Sequence, residues 1–91
     1  MEYEVVVLPT AETDLGRLPD AVRTAILRRL EWLRLGAHTI VHHRLHGMSP
    51  DLAGLCRIRY GDYRILYWHY RGERVLKVYR VQHRSEVYRG L

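Results

Sequence analysis

The chain predicts an α+β fold: a β-α-α-β-β-β order, a four-stranded, mostly antiparallel sheet, two helices packed on one face, and a short C-terminal helix. Three observations carry this. The chain opens on a β-branched run, Val5-Val6-Val7; apolar residues then recur at helical spacing to about Leu35; and from Gly54 the apolar period switches to two. With 91 residues, the chain is expected to form one domain, 1–91, around a single core.

Tyr3 to Leu8 reads as a strand stopped by Pro9. Thr10 or Thr13 is the expected cap of a short helix to about Leu18, weakened by Gly16. A longer helix is expected from Asp20, its N-cap, to Leu35. Val22, Ala25, Ile26, Leu30 and Leu33 form its apolar stripe, and Gly36 stops it. Three strand-like runs follow: Cys56–Tyr60, Tyr63–Tyr70 and Arg74–Val81. Gly61-Asp62 and Arg71-Gly72-Glu73 separate them, which makes an antiparallel meander. Residues 83–91 are expected to form a turn of helix. In the first meander strand Cys56, Ile58 and Tyr60 share one face and Arg57 and Arg59 the other, so both guanidinium groups are expected on an open sheet face.

Charge narrows the function. Lys and Arg number 15 against 10 acids, for a net +5, and 14 of the 15 are Arg. Residues 1–43 hold 5 Arg and 6 acids; residues 44–91 hold 10 cations and 4 acids. A near-neutral scaffold joined to a basic half reads as a polyanion-facing surface, and the arginine fork suits phosphate. The lone Cys56 excludes an internal disulfide framework and a multi-cysteine metal site. The acidic start and the absence of a long apolar run point to a cytoplasmic protein with no membrane partner.

Three stretches carry a family resemblance: Leu45-His46-Gly47; Leu55 to Tyr67, containing Gly61-Asp62-Tyr63-Arg64; and Val81 to Tyr88, ending in Ser85-Glu86-Val87-Tyr88. In this order the chain resembles the RelE/ParE superfamily of toxins along essentially its whole length, and the RelE branch more than the ParE branch. The resemblance implies a metal-independent messenger-RNA endonuclease that uses no cofactor, acts on the ribosome, and is held inactive by a cognate antitoxin through an acidic or amphipathic segment. Its alternatives are a ParE-like gyrase poison and a non-catalytic RNA-binding module. The family's alternate basic residues match Arg57 and Arg59, its phosphate-binding arginine matches Arg64, and its C-terminal tyrosine matches Tyr88. The family's arginine six residues before that tyrosine is Gln82 here; His83 and Arg84 are the nearest replacements.

The chemistry is coherent beside the resemblance. Cutting RNA with its own 2′-hydroxyl needs a base at that oxygen, positive charge around phosphorus, and an acid at the leaving oxygen. Arg57, Arg59 and Arg64 supply charge but cannot shuttle protons. Tyr88 is the expected base, since clustered guanidinium groups favour a phenolate. If residues 84–88 make a helical turn, Arg84 shares a face with Tyr88, and His83 is the candidate acid because histidine titrates near neutrality. Arg64→Ala is expected to remove activity and spare the fold, as removal of an exposed charge does.

His38, His42, His43 and His46 are four apart in two pairs, a metal-ligand spacing if helical. Lying between Gly36 and Gly47 with Asp51 the one nearby acid, they read instead as a solvated or RNA-facing loop. Trp32 falls on the long helix, while Tyr67, Trp68, Tyr70 and Tyr79 at strand positions read as core or interface aromatics, with base stacking by an exposed ring near Arg64 the alternative, and Met48 and Cys56 read as packing residues.

Overall fold

The structure is a computed structural model that describes residues 2–89 and Leu91. It contains β1 (Glu4–Val7), α1 (Pro9–Arg17), α2 (Asp20–Gly36), β2 (His43–Arg44), a 3₁₀ turn (Pro50–Leu52), β3 (Cys56–Tyr60), β4 (Tyr63–Tyr70) and β5 (Val75–His83). The sheet has five strands in the order β1-β5-β4-β3-β2. β1 runs parallel to β5, and every other pair is antiparallel. The expected α+β architecture is present with one strand more than expected. β2 has only two residues, His43 and Arg44, too few to show a period in sequence.

Both helix starts differ from the sequence expectation. Pro9 is the first residue of α1 instead of a terminator, because its fixed φ suits a first helical position where no N–H is needed. Neither Thr10 nor Thr13 is the cap residue; Thr10 Oγ1 donates instead to the Tyr79 carbonyl at 2.6 Å. Pro19, not Asp20, caps α2, and Asp20 becomes its first residue, ion-paired with Arg23. Arg23 also donates to the carbonyls of Leu15 and Leu18, which satisfies the C-terminal end of α1.

One face of the sheet carries the main core. Leu15 of α1 and Ile26, Leu30 and Leu33 of α2 pack on Cys56, Ile65, Tyr67, Leu76, Val78 and Val81. The even positions Leu76 and Val78 and the odd Val81 lie in one core, although strict alternation forbids it. The ladder explains this: Leu66 pairs with Arg80 but Tyr67 pairs with Val78, so Tyr79 is the extra residue of a β-bulge. Side-chain parity reverses at that point. β5 also runs on to His83, past the expected end at Val81. Its expected first residue, Arg74, belongs to the preceding turn, with φ of +57°.

The opposite face is not open, as the sequence suggested, but partly covered. Leu55, Leu66 and Val87 are fully buried there, with Leu45, Trp68, Tyr79 and Leu91 packed around them. Val87 belongs to the tail, which folds back across the sheet because it carries an apolar residue to a face that offers Leu55 and Leu66. In place of the expected short C-terminal helix, the described tail winds through hydrogen-bonded turns, with Val87 N donating to His83 O at 3.0 Å and Arg89 N to Glu86 O at 3.0 Å.

Candidate active site

Arg57 and Arg59 stand two apart on β3, so they share the face opposite the main core. Across the ladder, Arg59 pairs with Arg64 and Arg57 with Leu66. Like charges directly opposite repel. An anion bound between two such cations relieves that repulsion.

Arg64 is more embedded than a surface cation. It is 9% exposed, and its NH1 donates to the Gly61 and Tyr63 carbonyls, each at 2.9 Å. Gly61 takes φ of +56° in this tight turn, a conformation glycine adopts without strain. The turn and the arginine therefore hold each other. The expectation that Arg64→Ala spares the fold, made for an exposed charge, is corrected on this ground, since the substitution strips two partly buried hydrogen bonds.

The same row continues on β5, where Gln82 pairs with Arg64. Its amide Nε2 donates to Asp14 Oδ1 at 3.3 Å. Asp14 is 4% exposed and also accepts from Arg80 Nε at 2.8 Å, Arg80 NH2 at 3.1 Å and the Val81 backbone N–H at 3.0 Å. Beyond Val78, β5 has no strand on that side, so the α1 carboxylate completes its edge. The charge-assisted bond to Asp14 is the chief reason the Arg80 pKa is raised. Sequence reading passed over Asp14 and Arg80. The signal was available: Ala11, Asp14 and Leu15 fall at i, i+3 and i+4, which puts an acid in the buried stripe of a helix.

His83 pairs with Tyr63, and Tyr63 packs toward the main core. The bulge thus puts His83 in register with the core-facing Tyr63 and Gln82 with Arg64, while the Gln82 amide reaches the Asp14 carboxylate and both residues line one cleft. The His83 ring meets Tyr63 edge-on at 5.6 Å and borders a cleft with Asp14, Arg17 and Glu86. The Ser85 backbone N–H donates to His83 Nδ1 at 3.1 Å, so Nδ1 is the acceptor and the neutral ring carries its proton on Nε2. Arg84 leaves the strand toward the hairpin tip: its N–H donates to the Asp62 carbonyl at 2.7 Å, and its exposed Nε lies 3.6 Å from Asp62 Oδ1. Tyr88 follows the buried Val87 and is 40% exposed. The structure therefore brings Arg57, Arg59 and Arg64 together, hangs Tyr88 from a tail anchored on their face, and turns His83 away.

The four histidines of residues 38–46 lie past the end of α2, so their four-residue spacing does not align them on a helix. His42 is absorbed structurally. Its Nε2 lies 2.7 Å from the Ala37 carbonyl and must carry the proton, which leaves Nδ1 to accept from the Tyr67 hydroxyl at 2.6 Å. Burial raises the Tyr67 pKa further, so that hydroxyl stays a donor.

A sequence model of the ParE toxins of type II toxin–antitoxin systems, parDE, matches residues 5–88. Toxin RelE of Mycobacterium tuberculosis is 33% identical over 88 residues, which is 96% of this chain and 87% of that protein. The toxin of a RelBE toxin–antitoxin complex from the same organism superposes with a TM-score of 0.76 at 28% identity, covering 91% of this chain and 99% of that one. The isolated E. coli RelE toxin superposes with a TM-score of 0.70 at 26% identity, covering 94% and 90%.

Proposed function

This chain belongs to the ParE toxin family and is a RelE-like toxin of a toxin–antitoxin system, and we propose that it acts as a messenger-RNA endonuclease neutralised by a cognate antitoxin. The observation that carries the reading is the row in which Arg59 opposes Arg64, with Arg57 beside it and Tyr88 anchored over the same face through Val87. In the proposed reaction the RNA 2′-oxygen attacks phosphorus and the bond to the 5′-oxygen breaks. Tyr88 serves as the base that takes the 2′ proton, while the three arginines hold the charge that builds on the phosphoryl oxygens. The leaving oxygen is protonated from solvent or from a donor beside Arg84. His83 is the weaker candidate for that proton, because its ring lies across the sheet from the arginines and accepts the Ser85 N–H. The chemistry asks nothing of a metal, and ribosome binding would serve to present the message to the arginine face.

Purified chain should cut a message under translation, leaving a 2′,3′-cyclic phosphate on one fragment and a 5′-hydroxyl on the other. Tyr88→Phe should slow single-turnover cleavage about 10²–10⁴-fold, the usual worth of a positioned general base. Cleavage unaffected by Tyr88→Phe would remove the tyrosine from the mechanism. Two observations favour a second reading, the gyrase poison: the matched family is that of ParE toxins, and Gln82 stands where an arginine is expected. Inhibition of gyrase supercoiling without any RNA cleavage would select it.

A further inference from the structure

A second cationic cluster lies at the end of the sheet away from the Gly61 turn. Arg44 pairs with Cys56 and Cys56 with Tyr67, and His69 follows Tyr67 by two residues, so these positions share the core side of the sheet. Arg71 comes next, in the turn after β4. Arg57 and Arg59 stand on the other face, and Cys56 precedes Arg59 by about 10 Å of strand. With His42 from the connection after α2, the side chains of Arg44, Cys56, His69 and Arg71 surround a cavity of about 590 Å³.

The charges around this cavity are unbalanced. Among the described residues no acid lines it, and neither Arg44 nor Arg71 forms an ion pair. The Cys56 thiol brings no negative charge, because burial pushes its pKa up and its Sγ donates to the Gly54 carbonyl. The His42 and His69 rings stack at 3.9 Å. Both nitrogens of His42 are engaged, Nε2 with the Ala37 carbonyl and Nδ1 with the Tyr67 hydroxyl. His69 uses only Nε2, toward the Tyr3 hydroxyl at 2.8 Å, and its Nδ1 has no hydrogen bond among the described residues. A tyrosine hydroxyl can donate or accept, so His69 can gain a proton and keep that bond.

We propose that this cavity binds a phosphate dianion, free or as the end of a small ester, between Arg44, Arg71 and His69. Each guanidinium offers paired donors to two oxygens, and protonated His69 adds another. The cavity is larger than the ion, and Ile40 and Val41 line part of it, so an organic group on the phosphate meets an apolar wall. The site stands apart from the proposed nuclease face and does not rest on that reading. In the free chain, burial first and then the charges of His42, Arg71 and Arg44 hold the His69 pKa low. A bound anion opposes those charges, so anion binding and protonation of His69 favour each other.

The test titrates the whole chain with sulfate, a dianion at every pH used, and with adenosine 5′-monophosphate, at constant ionic strength in chloride. NMR signals of the His69 ring and the Gly54 amide report this cavity, so an anion held by the arginine row does not register. Sulfate should shift both signals and bind several-fold more tightly at pH 5.5 than at pH 7.5. His69→Gln, which keeps a partner for Tyr3, should bind with no such pH dependence. Arg44→Gln and Arg71→Gln should each weaken binding about tenfold or more, as loss of a charge-assisted hydrogen bond does. Arg17→Gln removes an equal exposed charge outside the cavity and should bind as the wild type. At pH 7.5, where both probes are dianions, tighter binding of the nucleotide than of sulfate identifies an ester as the occupant; binding no tighter identifies the free ion. Signals unmoved by both probes, equal sulfate affinity at the two pH values, or Arg44→Gln and Arg71→Gln chains that bind like Arg17→Gln overturn the proposal and leave the nuclease reading standing.

Discussion

Arg64 holds the Gly61 turn and is the proposed phosphate cation, and substitution separates the two roles. Arg64→Ala removes the cation and the two bonds to Gly61 and Tyr63, and leaves those carbonyls to find water. It should lower unfolding free energy by about 1–3 kcal/mol and cleavage by at least about 10²-fold. Arg64→Lys keeps the charge without the fork, so denaturant titration should find it nearer wild-type stability while cleavage stays impaired. A fully stable Arg64→Ala chain would mean that the turn does not depend on the side chain. His83 makes the opposite forecast. Its Nδ1 and carbonyl hold the tail through Ser85, Glu86 and Val87. His83→Ala should therefore cut single-turnover cleavage by less than about tenfold and leave the rate profile between pH 5 and 8 unchanged in shape. Loss of about 10²–10⁴-fold together with an ionisation in that window would restore His83 as the acid.

Between elements, two buried junctions carry consequences. Asp14 joins α1 to β5 through Arg80, Val81 and Gln82. Asp14→Ala leaves a strand-edge N–H and a guanidinium without their acceptor. The cost should be about 2–4 kcal/mol by chemical denaturation, toward the lower part of what breaking a buried pair costs, since the Arg80 side chain keeps 29% of its surface in water. The second junction ties the N-terminal Tyr3, the chain after α2, and β4. The rings of His42 and His69 stack at 3.9 Å, and the Tyr3 hydroxyl bonds His69 Nε2 at 2.8 Å. Burial first, then the charges of His42, Arg71 and Arg44, lowers the His69 pKa below that of an unfolded histidine. The unfolded chain therefore binds the proton more readily. The junction's contribution is full above the unfolded value of about 6.5 and is lost as pH falls from there toward the lowered folded value. Unfolding at pH 7.5 and at pH 5 should show this loss, and His69→Gln should flatten it. A slope unchanged by His69→Gln would place the pH dependence elsewhere.

The whole molecule carries +5, concentrated in residues 44–91, on a sheet whose arginine face and β3 edge adjoin. An acidic partner is drawn in over a distance set by salt, so its association rate should fall steeply between about 50 and 500 mM salt while dissociation changes little. Stopped-flow measurement of both rates checks this, and an association rate indifferent to salt would deny the electrostatic picture. On the proposed nuclease reading the same field would draw RNA, and antitoxin and message would compete for the same cations. Among the described residues no helix is long and apolar enough to cross a membrane.

Much of this was legible in the chain because it depends on local rules. The period of α2, the run of β1 and the Gly61-Asp62 hairpin follow from residue types at fixed spacing. The last sets Arg59 against Arg64 as soon as β3 and β4 pair. The motif around Arg64 and Tyr88 likewise marked the family, and the comparisons place the chain there. What local rules cannot reach is a residue whose neighbours are distant in sequence. Asp14 became a strand-edge acceptor only because β1 ends at Val7, opposite Val78, and leaves the rest of β5 open. Val87 closed the supposedly open face only because Leu55 and Leu66 lay beneath it. The deciding event was the single extra residue at Tyr79. A strand reverses its side-chain faces with every one-residue shift, so this bulge placed Val81 in the core and put Gln82 in register with Arg64 and His83 with the core-facing Tyr63. Alternation read from sequence has no means of locating such a shift, because the energy that selects it is the packing of Val78 and Val81 in one core against α1 and α2.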